Sequence, residues 1–294
     1  MKIKMSSKQK IGICCPVFNE EENIEDFYNA YRQIAKELTD KYIIEFLFAD
    51  NCSTDQSFNI IKSIASNDEL VHAIKYSKNF GVMKSIYTSI IESPNDWDLL
   101  AVFDCDMQDP PSLLKTLVEE QGKGYRIVYG ARSKRSESTR LSILRGLYES
   151  LERLLNKSSQ KPESGAWLID KRVVDEIKKR TYYKEHIPSL IADLGFSSTF
   201  VPYSRLERKK GETKFNVISY ISYGIDGLMG SSIVPLRISV LVSILFGIMS
   251  ILLSAYFVIA KFFLGIEFQE GIAALIILLL INFSINFFFL GIIG

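Results

Sequence analysis

The chain has 294 residues, 47% of them hydrophobic, and a formal net charge of +1. A charge so close to zero gives no reason to expect nucleic acid or another highly charged partner. The length allows one domain of ordinary size plus an appendage. The first ten residues are mostly polar and only a short apolar stretch follows them, so the sequence predicts no secretory signal.

Apolar and amphipathic segments alternate along the first two thirds of the chain. The apolar runs predict five strands: KIGICCPV (10–17), YIIEFLFA (42–49), LVHAIKYS (70–77), DLLAVF (98–103) and YRIVYG (125–130). The segments between them predict four helices: 19–38, 56–65, 82–93 and 110–121. Near-continuous apolar strands separated by helices are typical of a parallel α/β sheet with both faces covered. We therefore predict an α/β domain.

Polar residues follow every predicted strand. In chain order these segments are CPVFNE, ADNCSTD, SKNFG, DCDMQDPP and GARSKR. The carboxyl ends of parallel strands meet at one edge of a sheet, and ligands of such sheets bind outside that edge. The sequence therefore predicts a ligand site built from these five segments.

The most acidic of these segments is FDCDMQDPP (103–111). In an extended chain Asp104 and Asp106 leave the same face and Cys105 the other. Two carboxylates this close repel each other unless a proton or a cation lies between them. Oxygen ligands favour Mg²⁺ or Mn²⁺, usually together with substrate phosphates, and Gln108 could add a neutral oxygen. The alternative is a solvated turn in which Asp109 caps a helix that starts at the next proline.

Two long apolar runs near the end of the chain, 238–260 and 272–293, contain no charged residue. At about 1.5 Å per helical residue, each can cross a hydrocarbon core of roughly 30 Å. Two such runs in succession predict a transmembrane hairpin rather than two core helices of a soluble protein. Asn282 and Asn286 share one face of the second run and favour hydrogen bonding between helices. This pair points to a homo-oligomer formed through the transmembrane helices.

Charges around the two spans predict their orientation. Basic residues cluster before the first span: Arg205, Arg208, Lys209, Lys210, Lys214 and Arg237. The loop between the spans is slightly acidic. Because basic residues stay on the cytoplasmic side, we predict a multi-pass protein of the cell membrane whose N-terminal region is cytoplasmic.

A shorter amphipathic segment leads into the first span. Apolar residues at helical spacing between residues 215 and 228 predict an interfacial helix that contacts membrane lipid. The predicted organisation is therefore an N-terminal cytoplasmic domain (1–214), an interfacial segment (215–237) and two transmembrane helices (238–294).

Six motifs together resemble a known family. CPVFNEEENI, FADNCSTD, SKNFG, DCDMQDPP, GARSKRSE and RKKGETKF are similar, in this order, to the motifs of family 2 glycosyltransferases. They resemble more narrowly the polyprenyl-phosphate glycosyltransferases, which include dolichyl-phosphate mannose synthases and the bactoprenol glucosyltransferases of O-antigen modification. The resemblance extends from Ile11 to the second span. It implies a nucleotide-diphospho-sugar transferase domain (GT-A, Rossmann-like), an interfacial helix and a transmembrane hairpin.

The resemblance also implies roles for individual residues. The nucleoside pocket would be lined by Pro16, Phe18 and Glu20, with Asp50 on the base. The diphosphate and its Mg²⁺ or Mn²⁺ would be held by Asp104, Asp106 and Gln108. The phosphates of the donor or of the lipid would be contacted by Arg132, Arg135, Arg208 and Lys214. Arginine and lysine suit this role because they bind phosphate strongly. The alternatives are a solvated charge run for RSKR and attraction to the membrane surface for Arg208 and Lys214.

One departure from the family concerns the catalytic base. The family usually has an aspartate in a G-D-F-R-L segment where this chain has ESGAWLID, so that Gly165 occupies the aspartate position and Glu163 is the nearest acid. A phosphate monoester has a second pKa of about 6, so it is mostly dianionic at neutral pH without a base. We therefore predict that the protein is active despite Gly165.

The predicted reaction moves a hexose from a nucleotide-diphosphate sugar to polyprenyl (undecaprenyl) phosphate, with inversion, at the cytoplasmic face of the membrane. The resemblance favours a UDP-sugar such as UDP-glucose and leaves GDP-mannose open. The alternatives are transfer to another lipid or glycan acceptor, and a non-catalytic membrane protein that binds sugar nucleotides.

Overall fold

A computed structural model of the chain describes residues 8–132, 164–179, 187–206, 234–266, 269 and 271–293. Contacts divide the chain into two compact units, one built on a β-sheet and one containing two long helices. The strands in the described ranges are β1 (Gln9–Val17), β2 (Tyr42–Asp50), β3 (Val71–Lys75), β4 (Leu99–Val102), β5 (Ile127–Arg132), β6 (Ser164–Asp170) and β7 (Ser198–Tyr203). The helices are α1 (Ile24–Leu38), α2 (Ser57–Asn67), α3 (Val82–Ile91), α4 (Leu113–Gly122), α5 (Lys171–Lys179), α6 (Ile187–Asp193), α7 (Val234–Phe262) and α8 (Ile272–Ile293).

All seven described strands form one sheet in the order β3-β2-β1-β4-β6-β5-β7. Strands β1 to β4 pair in parallel, and β5 pairs in parallel with β7. Strand β6 runs antiparallel to both of its neighbours, β4 and β5. The five predicted strands therefore run in the same direction, as predicted, and the sheet is mixed because of β6, which was not predicted. Because β6 is reversed, its first residues lie at the same edge as the carboxyl ends of the other strands.

The sheet carries helices on both faces, as predicted. On one face α1, α2 and α4 bury an apolar cluster around Phe27, Phe48 and Phe103. On the other face α3, α5 and α6 bury a second cluster around Trp97 and Trp167. Burial on both faces explains why the strands read as continuous apolar runs rather than as alternating ones.

The first five strands end within two residues of their predicted bounds, whereas two helices begin late. Helix α1 begins at Ile24 instead of residue 19, because Asn19 has a φ of 52° and cannot start a right-handed helix. Helix α4 begins at Leu113 instead of Pro110. Asp109 is therefore not its N-cap, and the helix-cap interpretation of that residue is wrong.

A charged network lies toward the amino ends of the strands, away from the predicted ligand edge. Glu45 in β2 is 5% exposed and forms an ion pair with the Lys10 Nζ at 2.7 Å. The Trp97 indole N–H donates to the same carboxylate at 2.7 Å, and the His72 Nε2 lies 3.2 Å from it. A Cβ on Gly12 would lie 1.8 Å from the Trp97 ring, so only glycine allows the indole to approach β1 this closely.

Helices α7 and α8 belong to the second unit. Ser284 Oγ donates to the Ser243 carbonyl oxygen at 2.9 Å, and the Phe246 and Phe287 rings stack with centroids 5.9 Å apart. Residues 238–262 and 272–292 each have a mean hydropathy of 2.5 and are long enough to cross a membrane, in agreement with the predicted spans. The side-chain amide of Asn286 donates to the backbone carbonyl oxygen of Asn282, in the same helix, at 3.0 Å.

Candidate active site

The loops after β1 and β2 form one side of the site and are tied together by short polar contacts. The backbone N–H of Asn19 donates to Ser53 Oγ at 2.9 Å, and the backbone N–H of Thr54 donates back to Asn19 Oδ1 at 2.8 Å. The Glu20 amide donates to Ser57 Oγ at 2.8 Å. These bonds fix the two loops relative to each other and form a polar rim at the carboxyl edge.

The predicted nucleoside-pocket residues lie on this rim. Pro16, Phe18 and Glu20 are partly exposed, so a ligand can reach them. Asp50 differs because its surface is fully buried, and both of its carboxylate oxygens lie 3.3 Å from the Ser53 amide. In this structure Asp50 holds the turn after β2. Its contact with a base stays a prediction and would require that turn to move.

The acidic turn after β4 lies beside this rim, since β4 pairs with β1. Asp104 and Asp106 are partly exposed whereas Cys105 is buried, as the alternation predicted. The backbone N–H of Gln108 donates to Asp106 Oδ1 at 3.1 Å and closes the turn. Met107 has a φ of 58°, a left-handed conformation that is costly outside glycine and that concentrates at functional sites.

Negative charge is crowded in this turn. The pKa of Asp104 is raised to about 7, first by burial and then by the neighbouring carboxylates of Asp106 and Asp109, whereas Arg132 and Arg205 lower it by less. Such a pair is stabilised by a cation that bridges it. Among the described residues, the positive charges of Arg132 and Arg205 therefore do not offset the carboxylates of this turn.

The acidic turn suits a metal shared with a phosphate ligand. Among the described residues, no group of three or more His, Cys, Asp or Glu side chains is placed to hold a metal ion. Two carboxylates alone leave most positions of an octahedral ion open, and Mg²⁺ is commonly held by one or two carboxylates plus substrate phosphates. Asp104 and Asp106 fit a divalent cation bound in this way, with the phosphates supplying further oxygens.

Arg132 ends strand β5 and lies across the acidic turn from the rim. Its Nε donates to the Tyr203 hydroxyl at 3.2 Å, and that hydroxyl donates to Asp109 Oδ1 at 2.5 Å. The Arg132 Nη2 lies 3.8 Å from the same carboxylate oxygen. Asp109 and Tyr203 are both buried. Arg132 was predicted to lie in the site, Tyr203 was not, and Asp109 was considered only as a helix cap in the alternative interpretation of the turn.

The segment after β7 lies along the acidic turn. The Leu206 amide donates to the Gln108 carbonyl oxygen at 2.8 Å, and an Arg205 Nη2 lies 3.6 Å from Asp106 Oδ2. From the sequence, Arg205 was predicted only to be one of the basic residues that set membrane orientation. The structure places it against the predicted metal site, and no local sequence pattern distinguishes it from its basic neighbours.

Several predicted residues lie outside the described part of the chain. They are Arg135, Glu163, Arg208, Lys214 and the segment 215–233. Their roles stay predictions, as does the domain boundary at residue 214.

The mixed sheet with an acidic turn at its carboxyl edge defines the GT-A fold of nucleotide-sugar transferases. Mannosyl-3-phosphoglycerate synthase from Rubrobacter xylanophilus has a TM-score of 0.54 at 14% identity, over 76% of this chain and 73% of its own. Glucosyl-3-phosphoglycerate synthase from Mycobacterium tuberculosis, in complex with Mn²⁺, UDP-glucose and phosphoglyceric acid, has a TM-score of 0.50 at 17% identity, over 76% and 80%.

The profile of glycosyl transferase family 2 matches residues 12–188, more than half of the chain, and the protein belongs to this family. The prophage bactoprenol glucosyl transferase homolog of Escherichia coli K12 is 28% identical over 97% of this chain and 92% of its own length. The bactoprenol glucosyl transferase of Shigella phage SfII is 29% identical over 97% and 91%. The uncharacterized glycosyltransferase YkcC of Bacillus subtilis is 28% identical over 99% and 89%. The protein is a glycosyltransferase, so the alternative of a non-catalytic binding protein is set aside.

Proposed function

We propose that the protein transfers a hexose from a UDP-sugar to a polyprenyl phosphate at the cytoplasmic face of the membrane. The observation that carries this proposal is the full-length similarity to enzymes named bactoprenol glucosyl transferases, which extends over 97% of the chain. A similarity confined to residues 12–188 would support glycosyl transfer alone. Its extension into α7 and α8 supports a lipid-linked acceptor.

The donor would lie along the polar rim and the acidic turn. Pro16, Phe18 and Glu20 are accessible for contact with the nucleoside, next to the strand end that carries Asp104. A neighbour of the same fold has been crystallised with UDP-glucose and Mn²⁺, and another complex of that enzyme holds Mg²⁺ and UDP. These complexes support UDP as the nucleotide. GDP-mannose is the competing donor.

Departure of the nucleoside diphosphate needs positive charge at the acidic turn. A divalent cation, when bound, neutralises the negative charge that develops on the leaving diphosphate. Asp104 and Asp106 would hold it, with Gln108 as a further oxygen ligand. Arg205, beside Asp106, adds a fixed positive charge near the same phosphates.

The acceptor phosphate would attack the anomeric carbon from the face opposite the diphosphate. Its oxygen forms the new bond to carbon as the bond from carbon to the diphosphate oxygen breaks, and the electron pair leaves with the diphosphate. This geometry inverts the anomeric configuration. The phosphate is already ionised, so the residues of the site must mainly orient it and exclude competing water.

Helices α7 and α8 supply the membrane attachment in this proposal. In the most apolar 18 residues of each span, 11% of the residues are buried in the first span and none in the second. A core helix of a soluble protein is mostly buried. Lipid would cover the remaining apolar surface. Self-association through Asn282 and Asn286 stays a prediction, and both amides are exposed on the surface of α8.

The direct test is transfer by isolated membranes that contain the full chain. They are incubated with undecaprenyl phosphate and with labelled UDP-glucose, other UDP-sugars or GDP-mannose, and the lipid is extracted. We expect label in the lipid with a UDP-sugar, and none with membranes that carry Asp106→Asn. Label from GDP-mannose alone would overturn the nucleotide assignment. Label confined to another lipid or to a glycan would overturn the acceptor assignment.

Orientation is tested separately with reporters. A reporter fused after Gly294 should be cytoplasmic, and one inserted in the loop between the spans should be external. The opposite pattern would deny the site access to cytosolic nucleotide sugars and would overturn the proposed membrane face.

A further inference from the structure

A β-bulge lies in strand β6 at the carboxyl edge of the sheet. Tyr129 of β5 pairs with Trp167, and Ala131 pairs with Ser164. Between these two pairs β5 advances by two residues and β6 by three, so β6 carries one extra residue in the stretch that contains Gly165. Bulges are common beside active sites, where they redirect a side chain. Here the strand opposite the bulge ends in Arg132.

The Arg132 guanidinium lies over Gly165, where a side chain at position 165 would begin. A Cβ built on Gly165 would lie 2.0 Å from Arg132 Nη2 and 2.8 Å from its Cζ. It would also lie 2.7 Å from Asp109 Oδ2. Any residue larger than glycine therefore displaces the guanidinium or the carboxylate. The family's acidic side chain is replaced in this chain by a cation that comes from a different strand.

Buried residues hold that cation in place. Tyr203 connects Arg132 Nε to Asp109 Oδ1 through two hydrogen bonds, of 3.2 Å and 2.5 Å. Asp109 is 2% exposed, and within the described residues its Oδ2 has no hydrogen-bond partner. Only 13% of the Arg132 side chain is exposed. Nε donates to Tyr203 and Nη2 lies 3.8 Å from Asp109 Oδ1, so these two residues fix the orientation of the guanidinium.

The strand order places Arg132 on the acceptor side of the site. The predicted nucleoside residues follow β1 and β2, and the acidic turn follows β4, whereas Gly165 and Arg132 belong to β6 and β5 beyond it. A donor that lies from the nucleoside rim to the acidic turn directs its sugar toward β6 and β5. With the donor in this position, an inverting nucleophile, which approaches opposite the leaving diphosphate, would come from the side of Arg132.

We propose that Asp109 and Tyr203 are positioning residues that fix the Arg132 guanidinium in the space left by Gly165, as the binding site for the acceptor's phosphate. This inference rests on the proposed function and extends it to acceptor selectivity. A fixed guanidinium binds a phosphate through paired hydrogen bonds and cannot take a proton from a hydroxyl. The site therefore selects an acceptor that arrives ionised, and it selects against the corresponding alcohol.

Calorimetry with soluble probes tests this selectivity without turnover. The full-length, detergent-solubilised protein is titrated with farnesyl phosphate, with farnesol and with UDP in the presence of Mn²⁺. We expect the wild type to bind farnesyl phosphate more tightly than farnesol. Gly165→Ala should weaken the binding of farnesyl phosphate about tenfold, as expected for a lost hydrogen bond to a charged group. It should leave the affinity for UDP within about twofold of the wild type. Gly122→Ala is the matched control, since a Cβ there meets nothing within 4 Å.

Two further variants separate positioning from folding. Tyr203→Phe keeps the ring and removes the hydroxyl between Arg132 and Asp109. The variant should fold, and its affinity for farnesyl phosphate should be about tenfold lower than that of the wild type. In transfer assays it should raise the acceptor KM by a similar factor and change the donor KM little. Gly165→Asp, which restores the family's acid, should lower acceptor affinity instead of raising activity, because its carboxylate competes for Arg132.

The outcomes distinguish this inference from the proposed function. If the wild type prefers farnesyl phosphate and Gly165→Ala or Tyr203→Phe retains that preference, the inference is overturned. If the wild type shows no preference for the phosphate, both the inference and the phosphate acceptor are overturned. If the variants lose the preference but no sugar reaches polyprenyl phosphate, the inference stands and the proposed function fails.

Discussion

Two acidic clusters lie at opposite ends of the same sheet, and folding shifts the pKa values of their carboxyl groups in opposite directions. Burial alone would raise the pKa of Glu45, but hydrogen bonds from Lys10, Trp97 and His72 outweigh it and hold the pKa below its ordinary value. At the carboxyl edge, burial and two neighbouring carboxylates raise the pKa of Asp104 to about 7.

The difference separates a part of the molecule that stabilises the fold from a part that is prepared for a ligand. Around Glu45 the charge is compensated by protein groups, and the network is complete without any partner. Around Asp104 the described cations offset the negative charge only in part, and within the same residues Asp109 Oδ2 has no hydrogen-bond partner. Perturbed carboxyl groups of this kind concentrate at functional sites, where a substrate or cation supplies the missing charge.

The largest expected effect is on turnover at the carboxyl edge. Asp106→Ala should lower kcat by at least about a thousandfold, because it removes a carboxylate that would hold the cation stabilising the leaving diphosphate. Its circular dichroism spectrum should remain that of the wild type, since Asp106 is partly exposed. Transfer assays with labelled donor measure the first quantity. Near-wild-type turnover of this variant in the presence of EDTA would refute the metal-diphosphate site.

The opposite pattern is expected at the amino end. Glu45→Ala should lower the free energy of unfolding by about 2 kcal/mol, below the range for a fully buried pair because Lys10 is partly exposed. Turnover per folded molecule should be unchanged. Glu37→Ala removes an exposed ion pair with Lys115 and should cost less than about 0.5 kcal/mol, so it serves as the control. Denaturant titration measures the free energy of unfolding, and activity divided by the amount of folded protein measures turnover. Lower turnover of folded Glu45→Ala would show that the network at the amino end also supports the active site.

The pH dependence of stability should also differ between the two ends. The pKa of Asp104 is higher in the folded protein than in an unfolded chain, so its stabilising protonated form is lost as pH rises through about 7. The pKa of Glu45 is lowered by folding, so its contribution is lost only in acid, below its ordinary value.

Thermal unfolding in EDTA between pH 5 and pH 8 measures this difference. The wild type should lose stability across the range, and Asp104→Asn should flatten the curve and raise the melting temperature at pH 8 while abolishing transfer. A curve for Asp104→Asn that is parallel to the wild type would show that Asp104 is not the group that titrates.

The smallest expected effect concerns Arg205. Its guanidinium lies 3.6 Å from Asp106 and repels a metal ion that arrives without phosphate. Arg205→Ala should therefore bind Mn²⁺ alone about threefold more tightly, as expected for a partly exposed charge pair. Electron paramagnetic resonance of free Mn²⁺ measures this affinity. Lys115→Ala is the control, and equal affinities in all three proteins would show that Arg205 does not act on the metal site.

Much of the sheet domain could be predicted because its signals are local. Strands β1 to β5 are continuous apolar runs between polar turns, and the structure confirms them. Strand β6 was missed because its apolar stretch is short and its direction is set by pairing with β4 and β5. Strand β7 was missed because it is an edge strand with a proline and several exposed residues, which gives no apolar run.

Part of the site could be predicted for the same reason. Asp104 and Asp106 are two residues apart, so their shared face follows from strand geometry. Arg205 could not be placed in this way, because nothing near it in the sequence distinguishes a residue that contacts Asp106 from one that faces the membrane. Its position depends on the path of the chain after β7.

The sequence by itself determined the alternation of strands and helices, the acidic turn, the two apolar spans and the resemblance to family 2 glycosyltransferases. Only the tertiary structure decided that Asp109, Arg132, Gly165 and Tyr203 meet. These residues come from three strand ends and a turn, and Asp109 and Tyr203 are 94 positions apart. Hydrophobic periodicity reports which residues are buried, but the order and direction of strands depend on long-range pairing that no local pattern encodes.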